Sequence, residues 1–202
     1  MTKNNPPSLL PHSFVNKSLL VLAGLLAAFA PAGYARADTV REGDPAPDLQ
    51  LLNEDGQPIK LNASERSTVM TFIFTRCAAM EFCPRMNSKF VDLQSEILKN
   101  SLSDKVRLLS ITLDPEFDRP EHLKEFGKAI KADPATWNFA TGSKAQIDSL
   151  TSDFRVFREN KEGVLNHTLC TALIRPDGTV EKIWRGNFWE PEDVLKQIRS
   201  LD

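Results

Sequence analysis

No two basic residues stand side by side anywhere in this chain. The formal charge is only −2, from 25 Lys and Arg against 27 Asp and Glu, so bulk electrostatics leave no footprint for nucleic acid. Long hydrophobic runs are missing too. The most apolar stretch, residues 18–30 (SLLVLAGLLAAFA), is shorter than the roughly 20 residues a membrane span needs. Internal repeats, low-complexity tracts and linkers are absent, which argues against a second domain. Cysteine is scarce: Cys77, Cys83 and Cys170 are the only three, and an odd number excludes a purely structural disulfide framework. What is present is an ordinary globular composition, 41% hydrophobic and 26% charged, enough for one real core.

The N-terminus reads as a leader rather than as fold. Lys3 and Lys17 form a positive region, no acidic residue precedes Asp38, and the apolar stretch is followed by Pro31, Gly33 and Ala35-Arg36-Ala37. That small-x-small triplet places signal-peptide cleavage after Ala37, so residues 1–37 are a signal peptide and 38–202 the mature domain. An uncleaved leader would act as a membrane anchor. Losing Lys3, Lys17 and Arg36 takes the basic residues from 25 to 22 against 27 acidic, a mature charge of −5. Export to the periplasm places all three cysteines where disulfides persist.

Along the mature part, residues 48–52 and 58–61 flank Asn53-Glu-Asp-Gly56 as an N-terminal β-hairpin. Residues 68–74 (TVMTFIF) are nearly continuous and β-branched, as expected of a strand covered on both faces. Pro84 suits the first turn of a helix carrying Met86, Phe90, Leu93 and Ile97 at helical spacing. A strand over 106–113 follows, then a helix opened by an acidic capping box at Asp118-Arg-Pro-Glu121, a short strand over 137–140, and a helix capped by Ser143-Lys-Ala-Gln146. Pro176-Asp-Gly178 turns a hairpin between 171–174 and 179–184, and Pro191 starts the last helix. This order predicts an α/β fold, a central mixed sheet flanked by helices with an N-terminal β-hairpin extension.

Cys77 and Cys83 share one strand-to-helix loop at the carboxyl end of a central strand, where α/β sheets place their sites. In a helix, six residues apart, their side chains would point about 240° apart, so a shared ligand requires a loop that folds back before Pro84. Cys83 at a helix entrance and Arg76 beside Cys77 both favour thiolate, the form that binds metal and attacks disulfides. A plain disulfide stapling the loop is the competing reading, though closing so short a loop yields limited stabilisation.

Phe72-Ile-Phe-Thr-Arg-Cys77, then Cys83-Pro84, Ile111-Thr-Leu-Asp-Pro-Glu-Phe-Asp118-Arg-Pro120, and His167 ahead of Thr171-Ala-Leu-Ile-Arg-Pro-Asp-Gly178 resemble the SCO/SenC family over nearly the whole mature chain. The resemblance implies a thioredoxin-like fold and copper, as Cu(I) or Cu(II), held by Cys77, Cys83 and His167. It implies work on the copper centre of cytochrome c oxidase, as copper chaperone or as thiol reductase of a partner. The partner would be a copper-receiving or thiol-bearing envelope protein, such as a cytochrome c oxidase subunit. The usual family loop is C-x3-C, whereas this one is C-x5-C. Independently, two thiolates and an imidazole make a soft site suited to Cu(I), with Cu(II) and zinc as competitors.

Other residues have plainer readings. A lone histidine is usually a surface or core residue, and only the resemblance singles out His167. His122 reads as a solvated helix residue, Cys170 as a small buried hydrophobe with a resolving thiol as the alternative, and Met80 as loop packing. Asp118 reads as a helix cap, with Asp114 on the same loop as a candidate second-layer residue. Trp137, Trp184, Phe188 and Trp189 read as core and rim. The alternative functions are a periplasmic thiol-disulfide oxidoreductase, for which Cys77 and Cys83 would be catalytic, and a thiol peroxidase. The peroxidase pattern Thr-x-x-Cys is missed by one residue, since Thr75 stands only two before Cys77.

Overall fold

Residues Arg36–Asp202 form one compact unit. The structure, a computed structural model, describes residues 39–62, 64–76, 83–161 and 164–201. The leader of residues 1–37, Cys77 and Met80 therefore lie outside the described residues, and for Cys83 and Pro84 only the backbone is described.

The strands are β1 (Gln50–Asn53), β2 (Pro58–Lys60), β3 (Ser67–Ile73), β4 (Val106–Thr112), β5 (Trp137–Thr141), β6 (Arg158–Lys161), β7 (Val164–His167), β8 (Cys170–Ile174) and β9 (Val180–Arg185). The helices are α1 (Cys83–Lys99), α2 (Pro120–Ala129), α3 (Lys144–Asp153) and α4 (Pro191–Arg199). Seven strands form one sheet in the order β2-β1-β5-β4-β3-β8-β9. The central β3, β4 and β5 run parallel, while β1, β8 and β9 pair antiparallel. The mixed sheet flanked by helices is thus as expected, and the expected N-terminal hairpin is its β2-β1 edge.

Every residue of β3 and β4 is buried, which is why neither strand alternates in hydropathy. Side chains on one face of the sheet, Met70, Phe72, Leu109 and Ile111, pack with Leu150 and Phe154 at α3. Those on the other, Val69, Ile73 and Leu108, pack with Met86, Phe90, Leu93 and Ile97 of α1, Leu123 of α2 and Val194, Leu195 and Ile198 of α4. Each large side chain so buried contributes about 1.5–3 kcal/mol. Phe90 lies at the centre of an aromatic set, 5.6 Å from Trp137 and 6.2 Å from Trp189 between ring centroids. Of the aromatic residues read as core and rim, Trp137 and Trp189 are core, Trp184 is half-buried, and Phe188 is 90% exposed.

Local chemistry explains the element ends. The Ser143–Gln146 capping box forms as expected, and a second one, Glu190 with Asp193, opens α4 behind Pro191. The turn before β9 needs glycine. Gly178 has φ +87°, and a Cβ there would meet the Asn62 carbonyl oxygen at 2.6 Å. One expectation is corrected, and one element is added. Asp118 does not cap α2: Arg119 occupies the N-cap without a side-chain bond, and the Asp118 carboxylate turns inward. The chain between α3 and β8, to which the sequence assigned no element, holds the two-stranded ribbon β6-β7, paired from Arg158↔His167 to Lys161↔Val164.

Candidate metal centre

Three segments meet at the carboxyl ends of β3 and β4. The first is the exit of β3, Phe74-Thr75-Arg76, which leads directly to Cys77. The second is the turn 113–119 between β4 and α2, closed by Phe117 N–H and Asp118 N–H donating to the Asp114 carbonyl at 3.1 and 2.8 Å. The third is the β6-β7 ribbon. The Arg158 guanidinium donates to the Leu113 carbonyl at 2.6 Å and pairs with Asp148 of α3, which pins the ribbon over the end of β4.

His167 closes β7 and is only 8% exposed. Its ring meets Phe74 edge-on, 5.9 Å between centroids, so the imidazole packs against a residue three positions before Cys77. Nδ1 lies 3.1 Å from the Thr168 carbonyl oxygen. A carbonyl only accepts, so Nδ1 carries the hydrogen and the lone pair falls on Nε2. Burial pushes the His167 pKa down, against a weaker upward pull from that carbonyl, which favours the neutral imidazole a metal requires. A backbone carbonyl orienting the far nitrogen is the usual support of a ligating histidine.

Charge near the loop is arranged differently from the sequence reading. Arg76 does not simply add positive charge beside Cys77. Its guanidinium pairs with Asp114 at 2.6 Å and lies 3.9 Å above the Phe117 ring. Asp114 offsets Arg76, leaving the helix entrance as the feature that favours thiolate, since α1 begins at Cys83 itself. Asp114 also pulls the Arg158 pKa upward against the larger, opposing effect of burial. Asp118 is fully buried and accepts from Thr75 N–H at 3.1 Å, from the Thr75 hydroxyl, and from the Thr112 hydroxyl at 2.6 Å.

His122 is exposed as expected, with Nδ1 2.6 Å from the Phe117 carbonyl oxygen and its ring against the Phe117 ring. Cys170 is the buried residue expected of it: 1% exposed and unpaired, its thiol pushed up to about 11 by burial. Among the described residues no group of three His, Cys, Asp or Glu side chains converges on a metal position. Of the expected donors, only the His167 side chain is among them. What is described is the frame around the loop: the β3 exit, the α1 entrance, and a histidine beside the exit in a ligating tautomer. Thiolates and an imidazole on such a frame fit a soft cation or disulfide exchange. Sequence reasoning missed Arg158, Phe74 and the inward role of Asp118. Glu162-Gly163, an X-Gly pair between two short runs, was the available signal for the ribbon.

The parallel core with antiparallel edges, helices on both faces, and a cysteine-bearing segment between central strand and helix define a thioredoxin-like protein. The SCO1/SenC family model matches residues 38–201, and the chain belongs to that family. It is 30% identical over 154 residues to the SCO1 protein homolog of Bacillus subtilis, spanning 73% of this chain and 78% of that one. The copper-bound crystal structure of Arabidopsis thaliana ScoI superposes with a TM-score of 0.66 at 26% identity, over 79% of this chain and 99% of that one. BsSco, described as a member of the Sco family of cytochrome c oxidase assembly proteins in which a disulfide switch was identified, superposes with a TM-score of 0.65 at 27% identity, over 81% and 97%.

Proposed function

We propose that this chain is a copper-binding protein of the cell envelope that serves assembly of the copper centre of cytochrome c oxidase, with Cys77, Cys83 and His167 as ligands. The observation that carries this is His167: buried, neutral by environment, bonded through Nδ1 to a carbonyl, and packed beside the strand exit that leads to Cys77. Copper bound to A. thaliana ScoI and the assembly role of the Sco family support the same reading. Copper here is cargo. Two thiolates favour Cu(I), and the imidazole completes a three-donor set. The protein's own contribution is to hold the imidazole tautomer and the loop's two ends. Anaerobic Cu(I) titration against a competing chelator tests this. Loss of high-affinity binding in Cys77→Ser and Cys83→Ser, with a smaller loss in His167→Ala, is expected; unchanged affinity in either cysteine variant overturns it.

A second reading is favoured by the disulfide switch of BsSco. The reduced pair passes two electrons to a partner disulfide, closing a Cys77–Cys83 bond as the partner's bond opens. Both reactions need the same thiolates, so they compete. Thiol trapping across redox buffers, with and without Cu(I), measures the balance. Copper makes the pair harder to oxidise if one site serves both. We further propose export with cleavage after Ala37, so the mature chain begins at Asp38. Mass spectrometry of the purified protein decides this, and a species retaining Thr2 marks an uncleaved anchor instead.

A further inference from the structure

We propose that Asp118 is a positioning residue for the cysteine loop: it fixes where the chain leaves β3, and so where Cys77 is delivered. The inference rests on Cys77 being a functional thiol, as in the reading above, but not on copper being what it binds.

Asp118 stands directly before the N-cap of α2, in a sequence with capping-box form, yet it forgoes the cap. A side-chain cap is worth about 1 kcal/mol, and α2 does without one. The carboxylate is instead fully buried, a placement that is costly unless every lone pair finds a donor. The donors come from two strand ends. One oxygen accepts from Thr75 N–H at 3.1 Å and the Thr112 hydroxyl at 2.6 Å; the other accepts from the Thr75 hydroxyl. Thr112 Oγ1 in turn accepts from Asp114 N–H at 2.9 Å, which ties the start of the turn into the same network.

Thr75 is thereby held through both backbone and side chain, and it is followed by Arg76, which the same turn grips through Asp114 and Phe117. The two residues that precede Cys77 are both anchored to the turn 113–119. Thr75 lies past the last residue of β3, so no ladder bond of that strand places it; Asp118 does.

The test uses the full mature protein and two readouts, Cu(I) affinity by chelator competition and the equilibrium constant of the Cys77–Cys83 pair with a redox buffer. Asp118→Ala removes the anchor. Asp118→Asn keeps it, because the amide oxygen still accepts from Thr75 N–H and Thr112 while its N–H group donates to the Thr75 hydroxyl. Asp118→Ala is expected to weaken Cu(I) binding about 10–100-fold, the usual effect of losing support outside a ligand set. It is also expected to shift the exchange constant tenfold or more. Asp118→Asn is expected to stay within a few-fold of wild type on both. Thr75→Val, which spares the backbone bond, moves both in the direction of Asp118→Ala by a smaller factor, and it decides the matter if Asp118→Ala does not fold. If wild type binds no Cu(I), the copper reading fails while the exchange constant alone judges Asp118. Folded Asp118→Ala with wild-type affinity and exchange constant overturns the proposal, as does an Asp118→Asn variant as impaired as Asp118→Ala.

Discussion

Cys170 should take no part in the chemistry of Cys77 and Cys83, and the size of its exclusion follows from its surroundings. The residue opens β8 at 1% exposure in the apolar cluster with Met70, Phe72 and Ala172. Burial lifts its thiol from 9.0 to about 11, against a smaller downward pull from Arg185, its partner across the β8-β9 ladder. At pH 7 that leaves a thiolate fraction of about 10⁻⁴ rather than 10⁻², so alkylation is slowed about 100-fold before access is counted. The same shift is a stability statement. A folded pKa above the unfolded one favours the protonated fold, so the stability is complete below pH 9 and lost as pH rises toward about 11. The loss is about 3 kcal/mol, two pKa units at about 1.4 kcal/mol each. Iodoacetamide labelling of the reduced protein, read by peptide mass, should modify Cys77 and Cys83 and leave Cys170 unlabelled. Urea unfolding at pH 8 and pH 10.5 should show a drop in wild type that is smaller in Cys170→Ala, a variant costing about 1 kcal/mol at pH 8. The Cys77–Cys83 midpoint should be the same in both. Labelled Cys170 in the folded protein at neutral pH, or a disulfide joining it to Cys77 or Cys83, refutes the reasoning and makes it the resolving thiol of an oxidoreductase.

Arg158→Ala removes the charged bond to the Leu113 carbonyl and the pair with Asp148. It should cost about 2 kcal/mol in urea unfolding, and its effect on Cu(I) affinity should vanish in a His167→Ala background. Gly178→Ala forces a side chain onto φ +87° and into the Asn62 carbonyl, and a loss of about 2 kcal/mol with no change in thiol chemistry is expected. Phe90→Ala empties a site between Trp137 and Trp189. It should lower stability by about 3–5 kcal/mol, with a denatured baseline at room temperature as the extreme outcome of a thermal scan.

Much of the fold was legible because its signals are local. The nearly continuous β-branched and aromatic run at 68–74 marks a strand covered on both faces, found at Ser67–Ile73, Pro84 and Pro191 mark helix entrances, and Ser143 with Gln146 marks a cap that forms. Asp118 was misread for an instructive reason. A capping box is a sequence pattern of two polar residues, but a carboxylate goes to whichever donors are nearest in space. Here Thr75 and Thr112 outcompete the helix end, and Thr75 is 43 residues away in the chain. The ribbon β6-β7 escaped because it lacks the apolar alternation that marks a half-buried strand: Arg158-Glu-Asn-Lys161 is polar throughout.

By itself the sequence determined that a mixed sheet forms between helices and that one cysteine follows its first parallel strand while the second opens α1. Those properties depend on neighbours along the chain, on composition and on periodicity. Only the tertiary structure decided that His167 packs beside Phe74, that its Nδ1 is spent on Thr168, that Asp114 offsets Arg76, and that Asp118 holds Thr75. Each of these but the Thr168 bond is a contact across 38 or more residues of chain. Contacts of that kind arise where strand ends, turn and ribbon are brought together at the carboxyl ends of β3 and β4, and one-dimensional spacing carries no record of that meeting.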